Sequence, residues 1–203
     1  KLRKTMKKKL FATVLSFVFI LSFVLNAAAG QSDDKKEQRE VSGFSEISIS
    51  IAADVYLSQG DEEKLVLEGD EDALDKIETE VHGNTLKIKY DGMFNFGNIN
   101  KVTVYLTAKQ IDEISIAGSA DLEARTKISS DEMDLNVSGS GQIEIGDLET
   151  GEIDASISGS GEIKLAGSKS VRELELSISG SGDLEAESLE IEEEEIVVSG
   201  SGS

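Results

Sequence analysis

Carboxylates are the residues best placed to do chemistry in this 203-residue chain, which holds 40 Asp and Glu against 20 Lys and Arg and a single histidine. In the second half their spacing is regular. Asp121, Gln142, Glu162 and Asp183 recur at intervals of 20–21 residues, and Glu123, Glu144, Lys164 and Glu185 repeat the pattern two positions on. Stacked one above another, such side chains would stand in columns. Carboxylates are hard oxygen ligands for a divalent cation, and a pair of them can serve as acid and base at a glycosidic bond. Like charges about 4.8 Å apart in water repel by roughly 1 kcal/mol before salt screening. Gln142 and Lys164 interrupt the columns, however, and the Gly-Gly-x-Gly-x-Asp pattern of calcium-binding β-rolls is missing. The columns and the Glu192–Glu195 run are therefore read as a solvated charged face.

Other chemistries find less support. His82 lies in Val81-His82-Gly83-Asn84, a hairpin-turn composition, and has no second histidine with which to build a metal cluster or a Ser-His-Asp relay. Ser-Gly-Ser-Gly recurs five times if an Ala-Gly-Ser-Ala variant is counted, as structural turns do and single nucleophiles do not. It is neither a nucleophile elbow nor a phosphate-cradling loop, since no Walker lysine follows. The chain contains no cysteine, which excludes zinc fingers, iron–sulfur sites, disulfide scaffolds and thiol enzymes. A polysaccharide-cleaving enzyme would add cations or aromatics to hold its sugar, yet no aromatic follows Tyr105 and the repeats carry only Arg125 and Arg172 as arginines. No catalytic residue, cofactor-binding residue or metal ligand is assigned, and no cofactor is expected. A formal charge of −20 argues against nucleic acid and anionic lipid, both of which need cations on the protein.

The elements that carry these side chains announce themselves as repeats. Glycines 118, 139, 159, 180 and 200 are spaced by 21, 20, 21 and 20 residues, each inside a unit of the form apolar-x-apolar-Ser-Gly-Ser-Gly-x-apolar. Within a unit the apolar residues alternate, as in Leu135 and Val137 before the turn and Ile143 and Ile145 after it. Alternation of period two is a strand with one buried face. The glycines allow the backbone to bend, and the serine hydroxyls are expected to satisfy turn amides. A beat of this length is too short for a propeller blade. It predicts an all-β fold, a right-handed parallel β-helix of about 20–21 residues per coil, with a β-sandwich or a set of antiparallel hairpins as the alternative. The fifth copy stops at Ser203 where earlier copies run on into a strand, so further chain is expected beyond it.

The first half differs. Residues 1–9 carry six cations and no acid, an apolar run extends from Leu10 to Leu25, and Ala27 and Ala29 supply a small-x-small cleavage pattern. Residues 1–30 thus predict a secretory signal peptide, the apolar run being short of the roughly 20 residues that span a bilayer. With those six cations gone, residues 31–203 hold 14 cations against 40 acids and no membrane span. Residues 31–42 are polar and charged, which predicts a flexible linker. From 43 to 112 alternation persists with a weaker beat, predicting an irregular β-rich cap ahead of the repeats at 113–203. Asp70 to Lys76 is the one expected helix, and Phe94 and Phe96 fall in a Gly/Asn-rich loop. Ile49–Leu57 looks like Ile114–Glu123 with its glycines lost.

Taken together, the Ile-Ser-Gly-Ser-Gly-x-Ile/Leu units, the Phe44-Ser45-Glu46-Ile47 opening and the Ile51–Leu57 strand resemble the head GIN domain family of autotransporter adhesins, over about Val41 to Ser203. That resemblance implies a β-helical, exported bacterial protein with a surface or adhesive role. The expectation is a non-enzymatic module, periplasmic, on the cell surface or extracellular, binding an envelope, glycan or protein ligand. A homo-oligomer is compatible with its flat stacked faces. The alternatives are a polysaccharide-active enzyme and a cell-envelope accessory or sensor protein. No membrane-barrel translocator is visible in the sequence, a departure from the autotransporter pattern.

Overall fold

The computed structural model describes residues 34–92, 101–167 and 170–203. The signal peptide expected at 1–30 and the loop holding Phe94 and Phe96 lie outside them. In chain order the first elements are β1 (Lys35–Arg39), β2 (Glu46–Ser50), β3 (Ala53–Gln59), β4 (Lys64–Gly69), α1 (Glu71–Leu74), β5 (Ile77–His82), β6 (Thr85–Tyr90) and β7 (Val102–Ala108). The repeats supply β8 (Glu113–Gly118), β9 (Asp121–Ala124), β10 (Ile128–Ser129), β11 (Glu132–Gly139), β12 (Gln142–Ile145) and β13 (Leu148–Glu149). The last strands are β14 (Glu152–Gly159), β15 (Glu162–Ala166), β16 (Ser170–Gly180), β17 (Asp183–Glu187) and β18 (Glu190–Gly200).

These strands form two eight-stranded sheets and one short pair. The first sheet runs β1-β4-β7-β3-β9-β12-β15-β17, the second β18-β16-β14-β11-β8-β2-β6-β5, and β10 pairs with β13 alone. Aliphatic side chains from both large sheets meet in one core that extends from Phe44 to Ile178. The alternation explains this directly. Leu135, Val137, Ile143 and Ile145 are at most 2% exposed, while Asn136 and Glu144, each between two of them, face outward.

The right-handed parallel β-helix with a separate N-terminal cap, expected from the repeat, is not the architecture. The repeats do pair in parallel at their own interval, with Glu132 opposite Glu152 and Glu152 opposite Glu173. But the strands before them continue the same two sheets rather than capping an end. Three joins, β1–β4, β4–β7 and β5–β6, are antiparallel, and among the described residues only β10 and β13 pair outside the two large sheets. The result is a sandwich-like pair of mixed sheets. A repeat dictates only how neighbouring units pair. A hairpin such as β5–β6 can extend a parallel sheet whenever the buried face continues across it.

Two further expectations change. Within 31–42, expected to be a flexible linker, Lys35–Arg39 form β1 and pair antiparallel with β4. Ion pairs from Lys35 to Glu71 (2.8 Å) and from Lys36 to Glu68 (3.1 Å) hold it there, and its charged side chains suit a sheet edge. The helix is shorter than the Asp70–Lys76 span, ending its regular turn at Leu74. The likeness of Ile49–Leu57 to Ile114–Glu123 has a structural counterpart. Ile49 lies beside Ile116 in the second sheet and Val55 beside Leu122 in the first, both 67 positions apart.

The corners show why glycine recurs. Gly118, Gly139, Gly159, Gly180 and Gly200 stack in register with φ between +122° and +142°, a range that L side chains rarely adopt. Backbone carbonyls of the preceding unit, rather than serine hydroxyls, take up the corner amides. Ser140 N donates to Gly118 O at 2.9 Å, and Ser160 N to Gly139 O at 2.8 Å.

Candidate functional site

The outer face of the first sheet carries the predicted columns. Register places Asp121, Gln142, Glu162 and Asp183 side by side, and likewise Glu123, Glu144, Lys164 and Glu185. Both columns continue into the first half, where Asp54 adjoins Asp121 and Tyr56 adjoins Glu123. Cations punctuate them. Lys101 Nζ sits 2.7 Å from Asp54 and 2.8 Å from Asp121, bridging two carboxylates that would otherwise repel. Those two neighbours hold its ammonium pKa above the ordinary lysine value, hydrogen bonding to Asp121 contributing most. Lys164 does the same between Glu162 (3.1 Å) and Glu185 (3.8 Å), and Arg125 pairs with Glu123 at 2.6 Å. Three cations thus stand among seven carboxylates, so this face remains acidic.

The greater concentration of acid lies on the second sheet, of which the sequence marked only the Glu192–Glu195 run. Glu46, Glu113, Asp134, Asp154, Glu175 and Glu195 form one unbroken column across six strands. Two positions away, Glu132, Glu152, Glu173 and Glu193 form a second. The signal was present as Glu132-x-Asp134, Glu152-x-Asp154, Glu173-x-Glu175 and Glu193-x-Glu195 at the repeat interval. Arg172 meets this face, 2.6 Å from Glu152. Burial, then the neighbouring charges of Asp154, Glu132, Glu113 and Glu46, push the Asp134 carboxyl above its usual range. At the β6 end Asn84 donates to Glu46 at 2.6 Å, Thr85 also donates to Glu46, and Ser115 donates to Glu113 at 2.7 Å. Glu132, Glu152, Asp154, Glu173 and Glu175 line a depression of only about 120 Å³.

His82 ends β5 opposite Thr85, across the tight turn at Gly83, and is exposed. Among the described residues no group of three His, Cys, Asp or Glu is gathered closely enough to hold a metal ion. Among them, too, no helix is long and apolar enough to cross a membrane. The carboxylates are arrayed in columns along the sheet faces, one per strand in each column, instead of opposing one another across a cleft.

Comparison with known proteins adds the following. Residues 43–203 match the family model described as "Putative auto-transporter adhesin, head GIN domain". Among curated proteins, none matches the sequence. Among solved structures, a "putative adhesin" of Parabacteroides merdae is similar at a TM-score of 0.63 and 21% identity, over 85% of this chain and 80% of that one. A "putative adhesin" of Bacteroides fragilis gives 0.56 at 17% identity, over 85% of this chain and 96% of the other. A "Putative lipid binding protein" of Parabacteroides distasonis gives 0.58 at 22%, over 86% and 96%. At these identities the likeness is one of fold.

Proposed function

Because this chain belongs to the head GIN domain family, we propose that it is an exported, non-enzymatic module that attaches to other surfaces through the outer faces of its two sheets. The observation that carries this reading is the second sheet's acidic face. Two parallel columns of carboxylates stand on one sheet, in register from unit to unit, and the depression they line holds only about 120 Å³. Such a face offers repeated, equivalent contacts to an extended partner, whereas hydrolysis of a glycan needs two carboxyl groups flanking one bond. The family's adhesin description points to an exported or surface location. The basic, apolar and small-residue order of residues 1–30 fits the same destination.

The test is attachment. Beads carrying the full chain should be retained on cells or extracellular matrix under flow, excess soluble protein should compete them off, and His82→Ala should leave retention unchanged. Parallel assays on neutral and acidic polysaccharides should release no product. A hydrolytic or eliminative turnover abolished by one carboxylate substitution would overturn the reading in favour of an enzyme.

A further inference from the structure

The last strand of the second sheet breaks the pattern that the other repeats keep. Among the described residues four large apolar or aromatic side chains stand exposed, and three of them, Ile196 (51%), Val197 (55%) and Val198 (43%), are consecutive on the edge strand β18. The fourth, Tyr105, packs against the Tyr56 ring at a centroid distance of 5.5 Å and beneath Lys36. Ile196 and Val198 continue the aliphatic columns of Leu176 and Ile178, which are buried. Val197 faces the other way. It follows Ser115, Asn136, Ser156 and Ser177 in an outer column that is otherwise polar. An edge strand that is apolar on both faces is a template for another strand.

Three features identify that strand. Glu194 stands in register with Leu174, Ile153 and Met133, all buried. A further unit stacked on β18 in the same way would enclose this carboxylate in an aliphatic column and leave its charge buried and unpaired. The sheet's other edge is no better a partner, because β5 carries Glu78 and Glu80 and would bring them beside the Glu192–Glu195 run. β18, by contrast, is complementary to itself. Two copies run antiparallel about a two-fold axis through Val197 set Val197 opposite Val197 and Ile196 opposite Val198. The same register sets Glu195 opposite Ser199, Glu194 opposite Gly200 and Glu193 opposite Ser201. An axis through Ile196 would instead place Glu195 and Glu194 against valines, and one through Glu195 would place it against its own copy. Opposed aliphatic pairs stabilise a sheet, and opposed like charges destabilise it.

We infer that β18 pairs with β18 of a second copy, antiparallel and centred on Val197, so that two eight-stranded sheets run on as one. The contact is closed by its two-fold axis, so it yields a dimer and not a fibre. It goes beyond the attachment role and does not depend on it. Each copy carries a formal charge of −20, so salt, which screens their repulsion, should strengthen the dimer. The test is the mass of the full chain by sedimentation velocity. Wild type should pass from monomer to dimer as its concentration rises, and earlier in high salt than in low. Val197→Glu, which sets two carboxylates face to face, should raise the dimer dissociation constant about tenfold or more. Ser156→Glu, the same change of charge two strands inward, should leave it within about twofold. Both side chains project from the monomer, so circular dichroism of both variants should match wild type. The register is read by crosslinking, since the chain has no cysteine of its own. Oxidised with copper–phenanthroline, Val197→Cys should form a disulfide-linked dimer and Ser177→Cys, one strand inward, should not, its two sulfurs lying too far apart. A monomer at every concentration, an open-ended series of oligomers, a dimer indifferent to Val197→Glu, or crosslinking through Ser177→Cys in preference to Val197→Cys would overturn the proposal.

Discussion

Asp134 bears the charge that this fold accommodates least readily. It stands in the middle of the acidic column, and burial together with Asp154, Glu132, Glu113 and Glu46 raises its pKa above the ordinary 3.8. A carboxyl whose folded pKa exceeds its unfolded value is protonated more easily in the folded state. Its penalty is then present in full above the folded pKa and disappears as the pH falls towards the unfolded value. Asp134→Asn should therefore stabilise the protein at neutral pH by on the order of 0.5 kcal/mol after solvent screening, read as a small rise in melting temperature. It should also flatten the stability curve between neutrality and about pH 4, the ordinary carboxylate range. Glu63 has the opposite sign. Burial raises its pKa, but donation from the Gly43 and Phe44 backbone amides and the nearby Lys109 outweigh that and lower it overall. Its contribution is complete above the ordinary value of 4.5 and is lost as the pH falls through the lowered folded pKa. Glu63→Ala leaves the Gly43 amide, now 2.8 Å from its carboxylate, without that acceptor. That amide is exposed, so water replaces the acceptor and the expected cost is about 0.5–1.5 kcal/mol in denaturant unfolding at neutral pH, shrinking in acid.

Between residue and fold, the corner is the element that decides whether units can stack. A Cβ built on Gly159 would lie 2.4 Å from the Gly139 carbonyl oxygen, with φ at +124°. Gly159→Ala should cost roughly 2–5 kcal/mol, from backbone strain and a contact that the stacked backbone cannot relieve. Gly146→Ala is the control, since nothing lies within 4 Å of the added methyl and its stability should be unchanged or slightly improved. Urea melts of the two variants read the difference. The corners, and the alternation that leads into them, were legible because period two and a recurring glycine each have one physical meaning. The strand Lys35–Arg39 was not. Its five residues, Lys-Lys-Glu-Gln-Arg, contain nothing apolar, and its pairing comes from the free edge of β4 and from the ion-pair partners Glu71 and Glu68, both distant in sequence. Nor was the Tyr56–Tyr105 pair. Each tyrosine alone is an ordinary outward residue of a strand, and only the β3–β7 pairing, 49 positions apart, brings them together.

At the scale of the whole molecule, the parallel beat and the sheet architecture proved to be separate facts. The interval of 20–21 residues sets how repeats pair, while β1, β4, β5 and β6 set how the sheets are finished, and antiparallel joins of that kind leave no periodic trace. The beat nevertheless permits a direct test of independence between units. Excising residues 140–159 joins Gly139 to Ser160, regenerating Ser-Gly-Ser-Gly and letting β11 pair with β16 and β9 with β15. The shortened chain should keep its β-type circular dichroism and one cooperative transition, at a lower temperature because one stacking interface is gone. Removing Gly139 as well, as 139–159, should lower that temperature further, because the corner then has no glycine for its positive φ. The near-identical corners therefore matter beyond mechanics. They encode almost the same short text several times over, so unequal recombination can lengthen or shorten the protein by a complete step. Its size is a trait that heredity can adjust without redesigning the interior.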